Sequence, residues 1–265
     1  MSKDFAVVGD PIAHSLSPKI HLAAYKHLGL DYTYRAHRVG EGELSQFVSG
    51  IGSNLSGLSV TMPLKVEAAQ LAVEAHLDST EICNTLVKAD FGFTGYNTDI
   101  AGIRFALAKC FTEEPLNVAI LGSGATARSS IAALSLGGLV QVKVFARDLA
   151  TASNLVKIGN HLGVEVNLKS LVEYQGGADL TISTLPAGAT EGLRIESRQR
   201  GWLLQANYQD KDQVFLESFD ANRVISGVEM LIGQAIEQVR YFSAGDIDFV
   251  SVDREALASV MREAL

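Results

Sequence analysis

Residues 117–127 read NVAILGSGATA, and this stretch decides the fold of the second half of the chain. An apolar run that leads into Gly122 and Gly124 and then into small residues has the pattern of a strand, a tight turn and a helix. Glycine lets the backbone approach a pyrophosphate closely, and the free amides at a helix start favour its negative charge. The stretch predicts a nicotinamide dinucleotide site, although a turn without a ligand has the same local pattern.

Strand and helix patterns alternate on both sides of this stretch. On its C-terminal side, further strands are expected in VQVKVFARD at 140–148 and in GADLTISTLP at 177–186. On its N-terminal side the alternation begins with FAVVG and ends with LKVEAAQLAVEAHL at 64–77, which is predicted to be one helix. FTEEP at 111–115 has the composition of a hinge. The chain is therefore predicted to be an α/β protein of two domains, the second of them Rossmann-like.

The ends of the N-terminal and C-terminal helices carry recognisable signals. In SPKIHLAAYKHLG, Ser17 can cap the free amides, Pro18 suits the first helical position and Gly29 suits the end. GVEMLIGQAIEQVRYFSAG at 227–245 has the apolar spacing of a helix, and a further helical pattern covers 252–265. The spacing leaves open which domain the last two helices pack on.

Composition and charge exclude several classes of function. The 265 residues carry a formal net charge of -8 without a cluster of Lys and Arg, which argues against a nucleic-acid partner. No apolar stretch has the length of a membrane helix and no export signal is recognised, so neither export nor anchoring is expected. Cys83 and Cys110 form no disulfide framework, and neither they nor the histidines show metal-ligand spacing. We expect free thiols in a reducing cytoplasm and no metal site.

The residues after the second strand of the dinucleotide domain bear on the choice of cofactor. An acid at this position would bind a ribose 2′-hydroxyl, whereas an arginine would bind a 2′-phosphate. Both are present, as Arg147 and Asp148. Either can also be an ordinary solvated charge, so these residues leave NADP and NAD open.

Two serines stand near the start of the first helix. A small carboxylate could be held there by Ser15, Ser17 and the helix amides. The alternative is that Ser17 serves only as a helix cap and Ser15 only as a turn residue.

A second group of polar residues has the types that proton transfer requires. Pro63 halts an extended segment and would present Thr61 and Lys65 near the C-terminal edge of a strand, where open α/β sheets bind ligands. Asn84 and Asp99 follow segments with the pattern of strand ends or turns. A lysine beside an aspartate could exchange a proton with a substrate oxygen, although a surface salt bridge has the same composition.

Six short motifs occur in an order and spacing that resemble one family. They are GDPIAHSLSPKIH, SVTMPLK, CNTL, GYNTDIAG, GSGATA and GVEMLIGQAIEQ. Together they span almost the whole chain and resemble shikimate dehydrogenase. The resemblance implies an NADP-dependent reduction of 3-dehydroshikimate to shikimate, a step of aromatic amino-acid biosynthesis. It also implies a substrate domain at 1–101 completed by helices at 235–265, and a dinucleotide domain at 102–234.

The resemblance assigns roles to individual residues. Lys65 and Asp99 are similar to the catalytic pair of the family. The matches to its substrate contacts are Ser15, Ser17, Thr61, Asn84, Tyr208 and Gln234. The matches to its cofactor contacts are Gly122, Ser123, Gly124, Ala125, Thr126, Arg147 and Gly227.

The chain departs from the family pattern at four places. The family often has Asn where Ser59 stands, an Asn-Arg-Thr run where 146–148 read ARD, a second basic residue near Thr151, and Asn-Pro where Gln209 and Asp210 stand. Arg147 is kept, which favours NADP. The alternatives are a quinate/shikimate dehydrogenase that uses NAD, and a cofactor-binding regulatory relative without catalysis. A monomer and a homodimer are both compatible with the sequence.

Overall fold

The structure is a computed structural model that describes residues 2–108, 110, 116–137, 140–190, 193, 195, 198–208 and 213–265. The predicted hinge at 111–115 and the substituted pair Gln209 and Asp210 lie outside the described residues.

The strands are β1 Lys3–Gly9, β2 Tyr32–Arg38, β3 Gly57–Val60, β4 Glu74–His76, β5 Thr85–Ala89, β6 Gly92–Tyr96, β7 Leu116–Leu121, β8 Val140–Ala146, β9 Glu165–Ser170, β10 Leu180–Ser183, β11 Trp202–Gln205 and β12 Val224–Ser226. The helices are α1 Ser17–His27, α2 Leu44–Ser49, α3 Lys65–Leu71, α4 Asp99–Leu107, α5 Ala125–Ser135, α6 Leu149–Leu162, α7 Gln213–Glu217, α8 Gly227–Phe242 and α9 Arg254–Glu263.

The chain divides into two compact units. Unit 1 contains the residues up to Gly102 together with Leu231–Leu265, and unit 2 contains Ile103–Met230. The two-domain α/β class predicted from the sequence is confirmed. The second boundary falls inside α8, so that Gln234 belongs to unit 1, whereas the sequence-based bounds would put it in the dinucleotide domain.

Unit 1 contains a mixed sheet with the strand order β2-β1-β3-β5-β6-β4. β1, β2 and β3 are parallel, β5 runs antiparallel to both β3 and β6, and β4 is parallel to β6. The start of β5 therefore lies at the same edge as the ends of β1, β3 and β6. This topology brings residues from four distant parts of the chain to one edge of the sheet.

The two faces of this sheet are covered by different helices. Alternate residues of β1 point to opposite faces, and Ala6 and Val8 are buried in a cluster with Leu64 and Ala68 of the α3 region. On the other face, the Phe5 ring stacks on Phe242 of α8 with ring centroids 4.5 Å apart. α9 packs against α1. The C-terminal helices therefore complete unit 1, a point that their apolar spacing had left open.

The prediction of one helix over 64–77 was wrong in its second half. α3 ends at Leu71 because Ala72 is extended, and β4 follows as an edge strand in register with β6. The amide of Val73 already donates to the Phe93 carbonyl at 2.9 Å. The hydrogen bonds of the neighbouring strand override the local helix preference, because propensity differences are small.

Unit 2 is built on an all-parallel sheet with the strand order β12-β11-β10-β7-β8-β9. β8 and β10 lie on opposite sides of β7, so the order reverses at the end of β7. Open α/β sheets bind their ligands at the carboxyl end of such a switch point. The turn that follows β7 is GSGATA, the predicted dinucleotide site. Within the described part of the chain, no helix has the length and apolar character needed to cross a membrane.

Candidate active site

Lys65 and Asp99 form the central ion pair of unit 1. Lys65 Nζ donates to Asp99 Oδ2 at 2.5 Å. The Lys65 side chain is 14% exposed to solvent and the Asp99 side chain is 5% exposed. Lys65 is the first residue of α3 after β3, and Asp99 is the first residue of α4 after β6. A carboxylate is favoured at a helix start by the helix dipole. A pair this buried differs from the solvated salt bridge that was the alternative from sequence.

Asn84 joins this pair through its side-chain amide. Asn84 Nδ2 donates to Asp99 Oδ1 at 2.9 Å, so the two carboxylate oxygens of Asp99 accept from different residues. Of the two contexts expected before Asn84, a strand end or a turn, the structure shows the turn, and Asn84 directly precedes β5. Because β5 is antiparallel to β3 and β6, its start reaches the edge where those strands end.

α8 contributes two glutamines to the same polar group. Gln234 Oε1 lies 3.4 Å from Asn84 Nδ2, and Gln238, one turn later, donates to the Asn84 carbonyl at 3.2 Å. Both glutamines are buried. The sequence analysis missed Gln238, although the spacing of two glutamines four residues apart on a helix would have placed it on the same face.

Of the two serines at the start of the first helix, Ser17 does not act as its cap. α1 begins at Ser17, but its N-cap residue Leu16 makes no side-chain capping bond, and Ser15 Oγ accepts from the Ser17 amide at 3.3 Å. The buried Ser17 side chain instead lies beside the hydroxyl of Tyr34. The capping interpretation of Ser17 is therefore wrong, because its hydroxyl has a partner in the core. Ser15 is half-buried.

Thr61 follows β3 and is held against β1. Its amide donates to the Val8 carbonyl at 2.9 Å, and a side chain on Gly9 would collide with Thr61 Cγ2 at 2.4 Å. Gly9 therefore permits the close approach of the two strand ends. Thr61 lies at the same edge as Lys65, and its side chain is half-buried.

The turn after β7 in unit 2 has the geometry of a phosphate-binding turn. Gly122 has a φ of +107°, and a side chain on it would meet Thr184 Oγ1 at 2.5 Å. A side chain on Gly124 would point into open space, and Gly124 precedes α5 without a side-chain capping bond. The amides of Ala125 and Thr126 at the helix start are therefore available to an anion. These features fit a dinucleotide pyrophosphate.

Arg147 and Asp148 differ in what they contact. Asp148 is the N-cap of α6 and accepts from the amides of Ala150 and Thr151 at 2.9 and 3.2 Å and from Thr151 Oγ1 at 2.6 Å. The hydrogen bonds from Thr151 and Ala150 hold the pKa of Asp148 below its usual range. Arg147 is exposed and has no hydrogen bond or ion pair to any residue that the structure describes. The arginine is therefore the free group at this strand end.

The last two predicted residues also lie in unit 2. Tyr208 is half-buried in the turn after β11. Gly227 begins α8, and a side chain on it would meet the Ala206 carbonyl oxygen at 2.3 Å. Only glycine allows this close approach of α8 to the end of β11.

A family model described as shikimate dehydrogenase substrate binding domain matches residues 7–86. The chain is 31% identical to the shikimate dehydrogenase (NADP(+)) of Nitrosopumilus maritimus, over 89% of this chain and 91% of that one. It is 32% identical to that of Pyrococcus abyssi, over 91% and 92%. The crystal structure of Mycobacterium tuberculosis shikimate dehydrogenase superposes with a TM-score of 0.84 at 34% identity, over 98% of this chain and 99% of that one.

Identity at this level over nearly the full length of each relative confirms the resemblance found in the motifs. The chain belongs to the shikimate dehydrogenase family.

Proposed function

We propose that this protein is a shikimate dehydrogenase that interconverts 3-dehydroshikimate and shikimate with NADP. The observation that carries the proposal is the largely buried pair of Lys65 and Asp99, 2.5 Å apart at the sheet edge of unit 1. A ketone that receives hydride at carbon requires a proton at oxygen, and an ammonium held by a carboxylate can supply it. Family membership gives the identity of the substrate.

In this mechanism Lys65 donates the proton to the substrate oxygen and Asp99 holds the ammonium in line. The substrate carboxylate would be bound by the hydroxyls of Ser15 and Ser17. Thr61, Asn84, Gln234 and Tyr208 would bind the ring oxygens, as the family resemblance implies. The free amides that follow Gly124 would bind the cofactor pyrophosphate, with Ser123 and Gly227 as further contacts. Bound NADPH would supply the hydride.

NADP is favoured over NAD by the contacts at the end of β8. Arg147 is free to pair with a 2′-phosphate, whereas both oxygens of Asp148 are engaged in capping α6. A carboxylate whose two oxygens already accept hydrogen bonds from α6 has less capacity to bind the ribose 2′-hydroxyl of NAD. The curated relatives are named as NADP-dependent. The NAD-dependent alternative and a regulatory protein without catalysis have no comparable support.

The test is steady-state kinetics of the purified protein with shikimate and quinate, each against NADP and NAD. We expect the highest kcat/KM for shikimate with NADP. No turnover with either substrate would contradict the proposal, and a preference for quinate with NAD would favour the alternative enzyme. The cytoplasmic location and the monomeric or homodimeric state stay predictions.

A further inference from the structure

The amide of Asn84 is held in one orientation. The backbone amide of Thr98 donates to Asn84 Oδ1 at 2.7 Å, and a backbone N–H group can only donate. The oxygen end of the side chain must therefore face Thr98, which directs the nitrogen end toward Asp99 Oδ1 at 2.9 Å. The orientation of Asn84 thus ensures that a donor nitrogen, and not the amide oxygen, faces the carboxylate of Asp99, the partner of Lys65.

Thr85 supplies a second donor to the same oxygen. Thr85 Oγ1 lies 2.9 Å from Asn84 Oδ1 and 3.0 Å from Gln238 Nε2. A hydroxyl has one hydrogen and can accept others. The single hydrogen of Thr85 has two acceptors within reach, and Asn84 Oδ1 at 2.9 Å is nearer than Thr98 Oγ1 at 3.3 Å. Because Gln238 Nε2 donates to Thr85, it fixes Thr85 as a donor toward the other side, where Asn84 lies.

Gln238 is itself oriented from both ends. Its Nε2 lies 3.2 Å from the carbonyl oxygen of Asn84, which can only accept. Its Oε1 accepts from Ser59 Oγ at 2.8 Å, and Ser59 accepts from the Tyr34 hydroxyl at 2.6 Å. Every link thus donates in the same direction, from Tyr34 through Ser59, Gln238, Thr85 and Asn84 to Asp99. All six side chains are buried, with exposures between 0% and 4%.

Burial makes this series of hydrogen bonds rigid. A buried polar group that loses its partner keeps its desolvation cost, so each member is held in the one arrangement that satisfies its neighbours. Among the family departures noted in the sequence, Ser59 stands where Asn is common, and here it accepts from Tyr34 and donates to Gln238.

We propose that Thr85 and Gln238 are positioning residues for the reaction, which fix the Asn84 amide and through it the carboxylate of Asp99 and the ammonium of Lys65. The inference rests on the proposed function of the Lys65 and Asp99 pair. Neither residue touches the reacting atoms. A displacement of about 1 Å in catalytic geometry can cost about 100-fold in rate, so loss of this support should appear mainly in kcat.

Thr85 offers a matched pair of variants for the test. Thr85→Val keeps the side-chain shape and removes the hydroxyl, whereas Thr85→Ser keeps the hydroxyl. With shikimate and NADP, we expect Thr85→Val to lower kcat by about 10- to 100-fold, with a smaller change in KM, and Thr85→Ser to stay within about threefold of wild type. Gln238→Met should lower kcat in the same way.

The same substitution in Lys65→Ala protein distinguishes a loss of positioning from a general loss of folded structure. In Lys65→Ala protein, Thr85→Val should change kcat by less than about twofold, because the group that it positions is absent. Thr181→Val is the control, since it removes another buried threonine hydroxyl, bonded to Tyr174 at 2.9 Å in unit 2. It should reduce stability and leave kcat unchanged. An equal loss of kcat in both backgrounds, or no loss at all in Thr85→Val, overturns the proposal.

A readout that does not depend on turnover separates this inference from the proposed function. The side-chain amide signals of Asn84 in ¹⁵N NMR should shift or broaden in Thr85→Val and stay in place in Thr85→Ser. Unchanged signals in Thr85→Val contradict positioning, whatever the substrate of the wild-type enzyme. Absence of wild-type turnover with shikimate contradicts only the proposed function.

Discussion

At the scale of single residues, Lys65 is the side chain on which the proposed chemistry depends most. Proton transfer by a positioned group typically contributes about 10²- to 10⁴-fold to a rate, so Lys65→Ala should lower kcat by that order. Lys88→Ala removes an exposed lysine of the same unit, on β5, and should leave kcat within about twofold. Steady-state kinetics of both variants, with folding checked by circular dichroism, measures the difference.

The partner of Lys65 gives an additional test of the same prediction. Asp99→Asn should also slow turnover, because its carboxylate holds the ammonium at 2.5 Å. If both residues serve one proton transfer, the double variant should be little slower than Lys65→Ala alone. A folded Lys65→Ala protein with near wild-type kcat would show that the assigned mechanism is wrong.

Arg147 is the residue that we expect to select the cofactor. Hydrogen bonds to charged groups contribute about 1.5–3 kcal/mol, so Arg147→Ala should raise KM for NADP by about 10- to 100-fold. KM for NAD should change by less than about twofold, because NAD lacks the 2′-phosphate. Lys157→Ala, which removes an exposed cation from α6 in the same unit, is the control for net charge. An equal loss for both cofactors would contradict the prediction.

At the scale of secondary-structure elements, Asp148 caps the start of α6. Its carboxylate accepts from two amides of the first turn of α6. Asp148→Ala should lower the midpoint of thermal unfolding by about 2–4 °C, because loss of a cap destabilises the helix. Asp148→Ser, which retains a capping oxygen, should recover most of this loss. If Asp148→Ala changes the KM for NAD and leaves the unfolding midpoint unaltered, the capping assignment fails.

At the scale of the whole molecule, a buried histidine links stability to pH. His21 is fully buried, its ring stacks on Tyr34 at 4.1 Å, and its Nδ1 donates to the Ser17 carbonyl at 2.9 Å. Burial lowers the pKa of His21 to about 4, from 6.5 for an ordinary histidine.

This shift fixes the sign of the pH dependence. Between the two pKa values the unfolded chain binds the proton more readily than the folded one, so stability is full above about pH 6.5 and is lost as pH falls toward 4. The loss amounts to about 3 kcal/mol at most. Urea unfolding of wild type and His21→Phe between pH 7 and 4 measures it. The variant should show a shallower decline, and parallel curves would contradict the prediction.

The sequence by itself determined the features that depend on neighbouring residues. The glycine turn at 122–127 lies between β7 and α5 as predicted, and α1 begins at the Ser17-Pro18 pair and is followed by Gly29 with a φ of +68°. The confirmed α/β class follows from such local signals, since the apolar spacing of strands and helices is a short-range property.

Only the tertiary structure decided the features that depend on partners distant in sequence. β4 forms where a helix was expected because β6 offers its hydrogen bonds, and Asn84 reaches Asp99 because β5 runs antiparallel to its neighbours. Ser17 contacts the Tyr34 hydroxyl instead of capping α1, and Asp148 uses its carboxylate on α6. A side chain of these types can satisfy its hydrogen bonds with several partners, and the fold selects which partner is within reach.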